Sequence, residues 1–286
     1  MKKNSYDNVI ITNPEEFENK KEEMRKDGFN RVHVISDFDR TLTHAFINEN
    51  EFVPSLISVL RDENYLVEGY SEKARALFEY YHPIEADTSI SLEERKKALD
   101  EWWTKHSKLL IDSGLNKKDL RKVASSERIK LRGKVEDTIN LLNQKDVPFV
   151  ILSSSGIGVE SVVYTLEYHG LKKSNVYVIS NEYVWDDNGY AIDYVTPHIH
   201  TFNKNETSVK NSFVYSEVKE RDNVILLGDS LGDPDMAEGF EYKNILKIGF
   251  LNWDVDKFLE EYKKFYDVVI INDSSMDFVY DLLKEF

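Results

Sequence analysis

Six short apolar runs punctuate an otherwise polar chain: Val32–Ile35, Val147–Leu152, Val176–Ile179, Val224–Leu227, Ile245–Ile248 and Val268–Ile271. They are rich in β-branched residues and do not alternate with polar ones. That is the pattern of strands covered on both faces of a parallel sheet. Amphipathic stretches such as Val159–Tyr168 and Val255–Phe265 lie between them, and strand alternating with helix predicts an α/β fold with a doubly wound, mostly parallel sheet. Two segments break the alternation. From Pro54 to Ser126 there is no strand-like run, only charged helical text such as Ser91–Leu110, which reads as an inserted helical cap. The expected division is a cap at residues 51–127 over a core built from 1–50 and 128–286. The second interruption, Tyr183 to Val195, carries Asp187-Asn188-Gly189 between alternating flanks and predicts a β-hairpin.

Composition narrows the function. The 286 residues include 37 Lys plus Arg against 52 Asp plus Glu, a net charge of −15. Such a surface repels nucleic-acid backbones and anionic membranes, so neither is an expected partner. It also repels a free phosphate ester, so any site for one must be locally positive. The chain has no cysteine, which rules out disulfides and thiolate metal sites. Lys2 and Lys3 lead into polar residues, and no apolar run approaches the roughly 18 residues of a membrane span. A cytoplasmic monomer is the expectation.

In an open α/β sheet, ligands sit beyond the carboxyl ends of the strands. Three predicted strands end in chemistry: Ser36-Asp37-Phe38-Asp39-Arg40-Thr41-Leu42-Thr43, Ser153-Ser154-Ser155-Gly156-Ile157-Gly158, and Gly228-Asp229-Ser230-Leu231-Gly232-Asp233. Asp37, Asp39, Ser154, Asp229 and Asp233 would meet at one sheet edge. Clustered carboxylates are costly without a cation, and hard oxygen donors favour Mg²⁺. One carboxylate beside the ion can attack phosphorus while a second moves protons. Ser154 and the amides before the next helix can hold phosphate oxygens. Any one of these strings alone could be an ordinary turn with helix caps; the three in order, each after a strand, point to phosphoryl chemistry.

These motifs resemble the haloacid dehalogenase superfamily, whose hallmark is Asp-x-Asp-x-Thr after the first strand. More closely, the chain resembles the pyrimidine 5′-nucleotidase family, the cytosolic type III 5′-nucleotidases. The likeness runs from about His33 to Gly239 and includes Ile84-Glu85-Ala86-Asp87, Trp102-Trp103-Thr104-Lys105 and His200-Thr201-Phe202-Asn203-Lys204. It implies a Mg²⁺-dependent 5′-nucleotidase acting on UMP or CMP through an aspartyl phosphate, with 7-methylguanosine monophosphate as an alternative. By resemblance, Asp37 is the nucleophile, Asp39 the general acid and base, and Lys204 the neutralising cation. Ser154, Ser155 and Gly156 hold phosphate. Asp37, Asp39, Asp229 and Asp233 serve the metal, Asp39 through its carbonyl. Glu85 bonds the base and Trp103 stacks on it, with His106 one turn further. Animal members of the family carry Tyr and Ser where this chain has Trp103 and His106, and the phosphate loop here reads Ser-Ser-Gly rather than Ser-Ala-Gly.

Helical geometry complicates the base site. Leu99, Trp102, His106 and Leu109 share one stripe, which suits core packing for Trp102. Trp103 lies about 100° round, so at most one of the pair is expected to face the site. Two other readings remain open from sequence. One is a phosphatase for a small ester lacking a base, which Glu85 and Trp103 disfavour. The other is a catalytically inactive nucleotide sensor.

Overall fold

A computed structural model describes residues 6–49, 51–87, 89–204, 214–238 and 241–286; Lys2, Lys3 and Gly239 lie outside the described residues. In chain order the strands are β1 (Val9–Ile11), β2 (Val32–Ser36), β3 (Phe46–Asn48), β4 (Glu51–Phe52), β5 (Phe149–Leu152) and β6 (Val176–Ile179). They continue with β7 (Tyr183–Trp185), β8 (Ala191–Tyr194), β9 (Asn223–Gly228), β10 (Asn244–Leu251) and β11 (Val268–Ile271). Each of the six apolar runs is a strand of one seven-stranded sheet, ordered β1-β11-β10-β9-β2-β5-β6. Its neighbours run parallel except β1, a three-residue edge strand antiparallel to β11 that the hydrophobic pattern does not announce.

Burial explains why these segments read so clearly. Val34, Ile225 and Leu227 enter one apolar cluster, while Ile35, Val224 and Leu226 enter another on the opposite face. Neither face of β2 or β9 meets water, so no polar alternation survives in the text. The first helices are α1 (Pro14–Asp27), α2 (Leu56–Asp62), α3 (Tyr70–Ala86), α4 (Leu92–Asp112), α5 (Lys117–Ala124), α6 (Val135–Gln144) and α7 (Val159–Tyr168). Helices α6 and α7 cover the first face through Ile139, Leu142, Val162 and Leu166. The helix Val255–Tyr262 lies over the second face.

Boundaries differ where backbone chemistry decides them. Strand β5 starts two residues later than predicted, after Pro148, which has no N–H to donate to the ladder. The helix expected at Val255–Phe265 ends at Tyr262, and the amides of Phe265 and Tyr266 turn back onto the Tyr262 carbonyl before β11. Helices α2 to α5 occupy the stretch between β4 and β5 where a cap is expected. Among the described residues no strand lies between 53 and 126. The start of α4 is fixed by a capping box, the Ser91 hydroxyl accepting from the Glu94 N–H and the Glu94 carboxylate accepting from the Ser91 N–H. The expected hairpin is β7 with β8, Tyr183 opposite Tyr194. A second hairpin, β3 with β4, is too short to stand out in the pattern.

Two buried histidines bear on stability. His33 in β2 and His106 in α4 are each pushed down to about 4 by burial, against 6.5 in an unfolded chain. The unfolded state therefore takes up more protons between about pH 6.5 and 4, and stability falls as pH is lowered through that window. Each contributes a loss of about 2 kcal/mol between pH 7 and 5. His33 Nδ1 lies 2.7 Å from the Arg221 carbonyl, a bond that the amide of Asn can replace. In urea unfolding, His33→Asn is expected to lose about 2 kcal/mol less than wild type over the same pH change. Equal losses in the two proteins would contradict a neutral buried His33.

Candidate active site

Strands β9, β2 and β5 are neighbours, and the first residues beyond their carboxyl ends are Asp229, Asp37 and Ser153-Ser154. The chain leaves β2 toward β5 on one side and later returns as β9 on the other, so the cluster sits at a topological switch point. The Asp37 N–H donates to the Leu227 carbonyl at 2.9 Å, locking this loop to β9. Arg40 then takes a left-handed conformation, φ 63, and its N–H donates to Thr43 Oγ1 at 2.7 Å. Asp39, just before this turn, lies near enough to Asp37 to feel its charge.

Lys204 binds both arms of the cluster. Its Nζ donates to Asp37 Oδ1 and, at 3.1 Å, to Asp233 Oδ1, with all three side chains buried. Asp233 Oδ2 accepts the N–H groups of Asp229 at 3.0 Å and Ser230 at 2.9 Å. Both oxygens of Asp233 are thus engaged. Close approach makes Gly228 necessary here: a Cβ on it would lie 2.4 Å from Asp233 Cβ. Asp37, Asp229 and Asp233 each offer an oxygen within 4.8 Å of the others, an acidic triad able to hold a metal ion.

The electrostatics show what the cluster lacks without a cation. Burial, followed by the charge of Asp37, pushes Asp39 up to about 7. Burial and the nearby charges of Asp37 and Asp233 hold Asp229 well above the carboxylate range. Asp37 is also raised, chiefly by burial, although Lys204 opposes the shift. Burial alone would lower Lys204, but the charges of Asp233 and Asp37 outweigh it and raise the ammonium. A divalent cation would relieve the repulsion and return these groups to their ionised forms. The oxygen-only donor set fits a hard ion.

One cavity of about 740 Å³ joins this cluster to helices α3 and α4. Its lining includes Asp37, Asp39, Ser154, Ser155, Gly156, Lys204, Asp229 and Asp233, and also Glu85, Trp103 and His106. Arg40, Arg61 and Arg128 also line it, supplying the local positive charge that the −15 chain requires. At the loop after β5, a Cβ on Gly156 would meet Ile57 of α2 at 2.9 Å, so α2 and this loop are in close contact.

One sequence expectation needs correcting. Trp102 and Trp103 both line the cavity, although helical spacing allowed for only one. Trp102 stacks on Tyr81 at 5.8 Å with Phe78 edge-on, so it is core and cavity wall together, and Trp103 meets it edge-on at 4.9 Å. The rings are large enough to wrap the cavity from adjacent positions. The Trp103 N–H donates to the Ile199 carbonyl at 2.8 Å, which fixes its plane. Glu85 Oε1 accepts from Thr201 Oγ1 at 2.8 Å. His106, neutral through burial, lies 3.2 Å from the Tyr70 hydroxyl.

Sequence reasoning did not find Arg132. Its fully buried guanidinium donates to the carbonyls of Thr41 at 2.9 Å, Ser274 at 2.6 Å and Arg40, and to Asn252 Oδ1 at 2.6 Å. It also pairs with Asp273 at 3.0 Å. Nothing in the text around it marks it; only the fold brings its partners together.

Comparison with known proteins identifies the family. The model of the pyrimidine 5′-nucleotidase (UMPH-1) family matches residues 40–286. A 7-methylguanosine phosphate-specific 5′-nucleotidase A of Xenopus laevis is 33% identical over 279 residues, covering 97% of this chain and 95% of its own. The human 7-methylguanosine phosphate-specific 5′-nucleotidase is 34% identical over 265 residues, 91% of this chain and 86% of its own. A crystal structure of cytosolic 5′-nucleotidase IIIB bound to cytidine superposes with a TM-score of 0.91 at 31% identity, covering 98% of this chain and 94% of that one. The chain therefore belongs to the pyrimidine 5′-nucleotidase family and is a 5′-nucleotidase, a phosphoric monoester hydrolase of haloacid dehalogenase fold.

Proposed function

We propose that the chain hydrolyses a nucleoside 5′-monophosphate to nucleoside and phosphate through an aspartyl phosphate on Asp37. The observation that carries this reading is the single cavity, which unites the carboxylate and lysine cluster with an aromatic and acidic base end. Asp37 and Asp229, with the Asp39 carbonyl, would hold Mg²⁺, and Asp233, both of its oxygens already engaged, would support it. When bound, the ion supplies positive charge that neutralises the carboxylates and the phosphate oxygens.

The residues then divide the work. Ser154, Ser155 and the amide of Gly156 take phosphate oxygens at the loop before α7. Asp37 Oδ attacks phosphorus in line, and the bond from phosphorus to the 5′-oxygen breaks. Asp39, held near neutrality in pKa, gives its proton to that oxygen. In the second step Asp39 takes a proton from the water that hydrolyses the aspartyl phosphate. Lys204 offsets charge on Asp37 and on the transferring group throughout. Glu85, Trp103 and His106 read the base beneath a cap of residues 51–127, over a core of 1–50 and 128–286. The proposal includes a monomer acting in the cytoplasm; no described helix is long and apolar enough to cross a membrane.

UMP and CMP were the first candidates from sequence. The aromatic wall of Phe78, Trp102 and Trp103 beside the Glu85 carboxylate supports a second, 7-methylguanosine monophosphate, because π faces and a carboxylate both attract a cationic base. Phosphate release from UMP, CMP, GMP and 7-methylguanosine monophosphate, with Mg²⁺ and again with EDTA, tests both. Turnover abolished by EDTA is expected. Preference for the methylated over the plain purine supports the cation reading, and preference for CMP favours the pyrimidine. If only base-free esters turned over, the roles given to Glu85 and Trp103 would be wrong.

A further inference from the structure

The segment that leads into Lys204 is bonded to helices α3 and α4. Along α4, Asp100, Trp103 and Ser107 are spaced three and four apart and share one helical stripe. They meet three consecutive residues in reverse order. Ser107 Oγ lies 3.0 Å from His198 Nε2, the Trp103 N–H donates to the Ile199 carbonyl, and His200 Nε2 lies 3.1 Å from Asp100 Oδ1. The Phe202 N–H donates to His200 Nδ1 at 3.2 Å, so the ring proton sits on Nε2 and is directed to Asp100. Arg95, also on α4, stacks over Phe202 at 4.4 Å. The next residue along, Thr201, donates to Glu85 on α3.

The core holds the same segment from its other side. Asn181 brackets Ile199, donating to its carbonyl at 2.9 Å and accepting its N–H at 2.8 Å. Asn203 closes the turn into Lys204, donating to the His198 carbonyl at 2.7 Å and accepting the His200 N–H at 2.8 Å. Residues 198–203 are therefore braced internally and shared between cap and core. The bonds to α3 and α4 thus bear on the same short segment that leads into Lys204.

Resting on the nucleotidase reading above, we infer that residues 198–201 form a strap through which the base-reading helices set the position of Lys204, with Thr201, Ser107 and Asp100 as positioning residues. Base recognition at Glu85 is then read out in the chemical step as well as in binding. An error of about an ångström in a charged group near the transferring phosphoryl is enough to slow turnover without weakening ground-state binding.

Steady-state kinetics of the full chain test this on the best nucleotide and on a base-free aryl phosphate. Thr201→Val and Ser107→Ala are each expected to lower kcat about tenfold on both substrates, with the nucleotide KM changed less than about twofold. Thr201→Ser, which keeps the hydroxyl, should return kcat to within about twofold of wild type. Asp100 is largely exposed, so Asp100→Ala does not put folding at risk. It should give the same sign at about threefold, and it decides the matter if a buried variant fails to fold. A raised nucleotide KM with unchanged kcat, or unaltered turnover of the aryl ester, would reduce the segment to a wall of the base site. So would a Thr201→Ser variant as slow as Thr201→Val. Wild type that turns over the aryl ester but no nucleotide would overturn the nucleotidase reading instead, and the strap would still be judged on the ester.

Discussion

Asp37→Asn is expected to lower nucleotide turnover by ~10⁴-fold or more while leaving the chain folded. The amide is the same size as the carboxylate, so packing at the end of β2 is retained, but it is a poor nucleophile toward phosphorus. Nor can it take an equal part in holding a divalent ion. The stability side follows from the cluster. Asp37 is buried within reach of Asp229 and Asp233, and burial holds its carboxyl above the usual range even beside Lys204. Removing one charge from that set relieves repulsion, and Lys204 keeps its bond to Asp233. In EDTA the urea midpoint of the variant is therefore expected to equal or exceed that of wild type. With Mg²⁺ added, wild type should gain more, because only its full donor set binds the ion tightly. Phosphate release and urea unfolding, each with and without metal, check both halves. Residual turnover near the wild-type rate would end the aspartyl-phosphate mechanism. A lower midpoint in EDTA would mean that Asp37 helps stability more than it harms it.

What could be read in advance follows from how each feature is encoded. Strands covered on both faces write themselves as continuous β-branched runs, and β6 and β11 match their predicted limits to the residue. Strand β1 contributes only Val9–Ile11 at an edge, and β3 with β4 spans a few residues around a turn; neither is long enough to form a pattern. Asp37, Asp39 and Asp229 were legible because chain order places them directly after strands. Lys204 was legible only through family resemblance, since its place depends on the braced segment 198–203 rather than on a strand end. The tryptophans show the limit of periodicity. Spacing gives the direction of a Cα–Cβ bond, but an indole is large enough that Trp102 fills the core and walls the cavity at once. Gly228 looked like part of a loop motif, and the space it leaves for Asp233 gives that glycine a physical reason.

Arg132 is the residue least visible in sequence with the largest structural consequence, and Arg132→Met is expected to cost about 3–5 kcal/mol of stability. Burial lowers the guanidinium only to about 10, so it remains charged at neutral pH. Asp273 stays ionised as well: burial would raise it, but hydrogen bonds from His44 and the Ala45 amide, with the charge of Arg132, bring it below the usual range. Met approximates the aliphatic stem and can pack on Phe250, against which the guanidinium now lies at 4.5 Å. It cannot satisfy the carbonyls of Arg40, Thr41 and Ser274, and it leaves the partly buried Asp273 carboxylate without its cation, held only by the amides of Ala45 and Phe46 and by His44. Those carbonyls belong to the turn that carries Asp39 and to the segment after β11, so the arginine fastens the catalytic loop to the C-terminal strands. Asn252, at the end of β10, reinforces it by donating to the Arg40 carbonyl at 3.1 Å. Activity should fall further than stability alone explains, by about a hundredfold under conditions where the variant is fully folded, because Asp39 loses its fixed turn. Urea unfolding and kcat at low temperature measure the two effects separately. Arg132→Lys, which restores the charge but not the fork of donors, should recover less than half of the lost stability. A Met variant with an unchanged midpoint would show that the loop is held by its own Arg40–Thr43 turn, and that the C-terminal strands contribute burial alone.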